Sequence, residues 1–282
     1  MAGKKWAAFT LSDKAFDYAG DKLDKAWAKL HVGDQEPFPD EARIGKLLKG
    51  NSKLGKAADA AKIAATLQDA WRAYHRGDFQ QAFEAGEALG PLGASVACKA
   101  IGIHAAHLVA DEKEKLKRFE TAVGLAEAAI AALPKEANSH YFHAFALGRY
   151  SQQISITKAL AQGLAGKVKA SLEATLELCP KHADAHTAMA LYHAEIVGKV
   201  GGMLASLTYG AKPAIAEEHL KQAMKLAPDV PIVHIEQGNA LLLLYGDKKE
   251  KDAIACYEKA VKLKPREAMD ALDIAGAKAE LE

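Results

Sequence analysis

Apolar residues recur along this chain with a helical period, and prolines punctuate the pattern. Pro134, Pro180, Pro228 and Pro265 close similar segments. Twelve residues before them stand Ala122, Val168, Ala216 and Ala253; eight before, Ala126, Leu172, Leu220 and Tyr257; four before, Ile130, Leu176, Met224 and Val261. Offsets of four share one helix face, so each segment predicts an amphipathic helix that stops where proline forbids continuation. Six residues after three of the prolines comes His140, His186 or His234, and ten after comes Ala144, Ala190 or Gly238. A second helix of matching phase follows each turn, and its small residues let neighbouring helices approach closely. Such pairs cannot bury their apolar faces alone, which predicts stacking into a right-handed array.

The chain upstream carries a weaker repetition. Ala26-Trp27-x-x-x-His31-x-Gly33-Asp34 recurs as Ala70-Trp71-x-x-x-His75-x-Gly77-Asp78. A helix over Ser12–Val32 is expected, as a degenerate half-repeat capping the array, broken by Glu36-Pro37-Phe38-Pro39. Gly50–Lys56 reads as a linker. Residues 1–56 are therefore an N-terminal extension, residues 57–282 the array, and Arg266–Glu282 a solvating cap helix.

These residues resemble the tetratricopeptide repeat family. Pro134, Pro180, Pro228 and Pro265 match its closing proline, Ala122, Ala216 and Ala253 its second-helix alanine, and Gly77-Asp78-Phe79-x-x-Ala82 its inter-helix turn. Histidine stands where the family prefers Trp, and the proline spacings are 46, 48 and 37 rather than the family's 34. Two units are stretched, near Arg149–Lys167 and Glu195–Lys212. With that stretching, Pro134–Glu282 is similar to the group containing the T-components of TRAP transporters and the regulators of microtubule dynamics. The resemblance implies an all-α, right-handed helical-hairpin solenoid with extended repeats and a C-terminal cap helix. It further implies either an adaptor or a carrier of a small apolar ligand.

Composition narrows the reading. Half the residues are hydrophobic and 26% charged, which excludes global disorder, and the recurrence of Ala with few aromatics favours helices over strands. A formal charge of +1 provides no whole-molecule field for nucleic acid or anionic lipid, so no specific nucleic-acid partner is expected. The basic run Arg43, Lys46, Lys49, Lys53 and Lys56, with Ile44, Leu47 and Leu48 at helical spacing, fits a solvated linker helix, with an anion-binding helix as the alternative. Cys98, Cys179 and Cys256 are odd in number and form no C-x-x-C pair, which suits reduced thiols. Met1–Lys14 lacks an apolar signal core, and no window offers 18 uninterrupted apolar residues. A cytoplasmic protein without a transmembrane segment is expected.

No catalytic chemistry emerges. Gly163-Leu164-Ala165-Gly166-Lys167 fails as a phosphate loop, because Ala161 and Val168 stand where Gly and Ser or Thr are needed. The histidines include helical pairs (His104/His107, His140/His143, His182/His186) but no H-E-x-x-H, and no G-x-S-x-G elbow occurs. Neither metal nor cofactor nor enzyme activity is expected.

The family's concave wall, carried over residue by residue, gives a groove. It comprises Asn138, Tyr141, Phe145 and Arg149; Asp184, Thr187, Leu191 and Glu195; and Ile232, Ile235, Asn239 and Leu242, with Gly148, Ala194 and Leu243 beside them. So apolar a wall needs a cover: a peptide, a small apolar ligand, or the chain's own segments. The stretched regions supply apolar residues of their own, Ile154, Ile156, Leu160, Leu164 and Val168 in one, Met203, Leu204, Leu207 and Tyr209 in the other. Met203 and Tyr209 suit adaptable contacts. Arg149 and Glu195 offer a polar handle or a mutual pair. The expected role is a non-catalytic adaptor binding a protein or peptide, with an apolar-ligand carrier as the alternative.

Overall fold

The computed structural model describes residues 6–11 and 16–282. It is all-helical, with no strand among the described residues. The chain divides into two compact units: one of the described residues up to Ala28 together with Glu36–Ile156, the other of Lys29–Gln35 with Thr157–Glu282.

α1 (Lys22–Leu30) is much shorter than the helix expected over Ser12–Val32. Residues 12–15 lie outside the described set, and from Phe16 to Asp21 the chain is not helical. Asp17 explains the delay, since its Oδ1 accepts from Ala19 N at 3.1 Å and fixes a turn before Gly20 takes φ +61°. The Glu36–Pro39 stretch is extended, as expected, and α2 (Glu41–Gly50) follows, capped by Asp40 Oδ1 on Arg43 N at 2.7 Å.

α3 (Ala60–Arg76) ends on Gly77 at φ +95°, a left-handed conformation that costs glycine nothing. Asp78 N and Gly77 N bond back to Ala73 O and Tyr74 O at 2.8 and 2.9 Å, satisfying the last carbonyls of the helix. α4 (Phe79–Glu87), α5 (Ala94–Leu108), α6 (Glu112–Ala132) and α7 (Ala137–Gln152) continue as consecutive packed pairs. Their core includes Cys98, Ile101, Ala122, Ala126, Phe142 and Ala146. A second centre is aromatic: Trp27, Trp71, Tyr74 and His75 meet mostly edge to face, and buried Lys99 places Nζ 5.4 Å from the Tyr74 ring.

The second unit is reached through α8 (Ile156–Ala161) and holds α9 (Leu164–Leu178) and α10 (Ala183–Val200). Next come α11 (Gly202–Leu204), running into a π-turn at Ala205–Tyr209, then α12 (Pro213–Leu226), α13 (Pro231–Tyr245), α14 (Glu250–Lys262) and α15 (Ala268–Ala279). Alanine dominates its cores: Ala190, Ala194, Ala216 and Ala240 around Leu220, and Ala183, Ala223 and Ala227 around Val230 and Val233. Small residues bring these helices close. At Gly238 an added Cβ would stand 2.7 Å from the Tyr257 ring.

The segment Lys29–Gln35 is built into this unit. Gly33 meets Asp184 so closely that a Cβ would lie 2.3 Å from its Oδ1, and Asp184 N donates to Gly33 O. Arg266 donates to Lys29 O at 2.9 Å and forks onto Asp270, whose burial pushes its carboxyl pKa up although the guanidinium opposes the shift.

Candidate functional site

The recurring histidines find a structural explanation. His140, His186 and His234 place Nε2 on the carbonyl of the proline six residues earlier, at 2.9, 3.1 and 2.7 Å. A carbonyl only accepts, so each Nε2 carries the proton and ties the first turn of its helix to the preceding proline turn. In His186 the other nitrogen is then an acceptor. His219 Nδ1, 2.8 Å away, is its donor. His193 stacks on His219 at 6.4 Å and uses Nδ1 to accept from Lys212 N. Burial, then His219 and Lys169, push the His193 pKa down to about 4. Among the described residues no three His, Cys, Asp or Glu side chains are grouped so that they could hold a metal ion.

A comparable network stands in the first unit. His104 Nε2 donates to Ala7 O at 3.0 Å and Nδ1 accepts from Arg118 at 2.7 Å, which fixes one neutral tautomer. Burial foremost, with Arg118 adding to it, holds its pKa near 4. The Arg118 guanidinium lies 4.1 Å from the Trp6 ring centroid, and Trp6 also meets Phe83. The N-terminal segment thus straps the first unit through Trp6 and Phe9. The sequence signal was there: two aromatics in an otherwise undistinguished stretch.

Of the groove residues in the first unit, Asn138 is buried, and its amide donates to Glu36 Oε2 at 2.6 Å. The chain's own extended segment occupies that end of α7. The nearby Arg43–Glu136 ion pair and Ile44, Leu67, Trp71 and Ser139 line a cavity of about 30 Å³, room for one or two waters. Tyr141, Phe145 and Arg149 remain half-buried and form a ladder on α7. The two rings stack at 6.4 Å, and the guanidinium lies 5.9 Å from Phe145. Phe145 leans onto Gly102, where a Cβ would come within 2.4 Å of its ring.

In the second unit the groove positions are partly absorbed into packing. Thr187 is buried and donates to Ala183 O; Leu191 packs on the Ala190–Leu220 core; Ile232 packs on the Val230–Val233 core; Ile235 is half-buried. Asn239 accepts from the Tyr257 hydroxyl and donates to Glu236. Asp184 sits against Gly33, and Glu195 pairs with Lys199 at 2.9 Å. Leu242 and Leu243 are exposed. Met203 is 82% exposed, whereas Tyr209 is half-buried.

The stretched regions hold the ends of α7 and α10, each followed by a short helix, α8 and α11 with its π-turn. The Ile156 side chain lies outside the described set. No family model matches the chain, and no curated protein matches it in sequence. No helix among the described residues is long and apolar enough to cross a membrane.

Proposed function

We propose that this chain is a non-catalytic scaffold of tetratricopeptide type that recognises a protein or peptide through the α7 face. The observation that carries this reading is the Tyr141–Phe145–Arg149 ladder, three side chains at i, i+4 and i+8 that stay half-buried beside a filled core. Tyr and Arg are over-represented among residues that dominate binding energy, and a stacked, guanidinium-capped ladder loses little side-chain entropy when covered. The phased proline turns and their histidine ties support the repeat reading.

Affinity capture from the source proteome with the full chain and with Tyr141→Ala/Arg149→Ala compares the two. A specific partner lost by at least about tenfold in the variant is expected; equal capture by both proteins removes this face from the reading.

A further inference from the structure

Residues 6–10 form neither helix nor strand and lie on the surface of the first unit. Trp6 and Phe9 are half-buried, while Ala7, Ala8, Thr10 and Leu11 are exposed. Trp6 meets Phe83 of α4 and His104 of α5, with ring centroids 5.4 and 4.5 Å apart. Phe9 stands edge-on to Phe79 and presses on Gly77, where an added Cβ would come within 2.5 Å of its ring. Between the two aromatics, Ala7 O accepts from His104 Nε2 at 3.0 Å. Two side chains and one carbonyl hold the segment, which otherwise faces water.

The polar groups beneath are positioned by partners on α5 and α6 themselves. Arg118, buried on α6, is held by Glu114 at 3.0 Å and donates to His104 Nδ1 at 2.7 Å. What the segment supplies is an acceptor for the His104 N–H and an aromatic face for the Arg118 guanidinium, which lies 4.1 Å from the Trp6 ring centroid. A buried donor stripped of its acceptor is costly, so this surface demands an occupant. The demands describe that occupant. A helix engages most of its carbonyls in its own ladder, whereas an extended segment leaves one free for His104. An aromatic just before that carbonyl covers Arg118, and a second, three residues after the first, reaches the hollow at Gly77.

We propose that this surface of α4, α5 and α6 is a peptide-recognition site that the chain's own residues 6–9 keep closed. Its partner is an extended protein segment with two aromatics three residues apart. That segment displaces Trp6 and Phe9, takes over the His104 bond and covers Arg118. Ala7 and Ala8 are exposed and make no demand on the residues between the aromatics, so selectivity lies in the aromatic spacing. Trp and Arg are the side chains most enriched where binding energy concentrates, and here they face each other. A segment tethered by a short linker competes at an effective concentration on the order of millimolar, so a free peptide meets a closed site in the parent chain. The site shares no residue with the α7 ladder.

Fluorescence anisotropy of a dye-labelled, N-acetylated peptide with the sequence of residues 6–11 tests the proposal on the full chain. Trp6→Ala/Phe9→Ala empties the site and is expected to bind the peptide at least about tenfold more tightly than the parent does. Moving the second aromatic by one position in the peptide should weaken binding to this variant by about tenfold or more. Far-UV circular dichroism checks that the variant is folded; should it unfold, Trp6→Ala alone, which leaves Phe9 on Gly77, carries the same comparison. Equal binding by parent and variant, or binding indifferent to the aromatic spacing, overturns the proposal. So does unfolding of both variants, which would make the segment a part of the core rather than a displaceable occupant.

Discussion

The imidazole at Pro+6 performs one task three times, and the task is small in energy. Replacing His234 with Phe keeps ring volume but removes the donor to Pro228 O. A loss of about 1 kcal/mol is expected from the urea midpoint, near the net value of one hydrogen bond. An unchanged midpoint would show that the contact contributes nothing. The cysteines differ among themselves at this scale. Burial drives the Cys98 thiol pKa up to about 12 and its Sγ points at Ala122 O, whereas Cys179 caps α9 at the margin of solvent. Mass-spectrometric mapping of thiol labelling in the native protein should find Cys179 modified first and Cys98 protected until unfolding.

Among elements, some glycines are required because one segment touches another there. Gly102→Ala sets a methyl 2.4 Å from the Phe145 ring. A cost of about 1–3 kcal/mol in denaturant stability is expected, together with altered ring-current shifts on the α7 ladder; unchanged aromatic resonances would refute the close approach. Gly33 is comparable, yet its neighbour Asp184 lies 151 residues away in sequence. The helices themselves were legible because their apolar faces and stop signals are local. The start of α1 was not, because Asp17 and Gly20 break a pattern whose apolar positions continue through them. The groove was legible as a set of positions and not as a surface. Asn138 is filled by Glu36, and Asn239 is held by Tyr257, through contacts that a helical register does not encode.

Across the whole molecule, each unit holds a buried histidine that must stay neutral to keep an accepting lone pair. His104 and His193 titrate near 4 when folded, against an ordinary 6.5 when unfolded. Above 6.5 both states are neutral and the contribution is complete. As pH falls from 6.5 towards 4 the unfolded chain takes protons that the folded one refuses, and stability declines. Each group contributes on the order of 3 kcal/mol over that window. Urea midpoints should therefore fall steeply between pH 6.5 and 4, and His104→Gln should flatten part of the slope; a flat profile in the parent protein would contradict the assignment.

By itself the sequence determined the helical class, the proline-timed turns and the stretched regions, since periodicity, proline and chain length act locally. Tertiary structure alone decided which of the predicted groove residues stay open and that Trp6 straps His104 and Arg118. Those outcomes depend on distances between segments far apart in the chain, which no local spacing fixes.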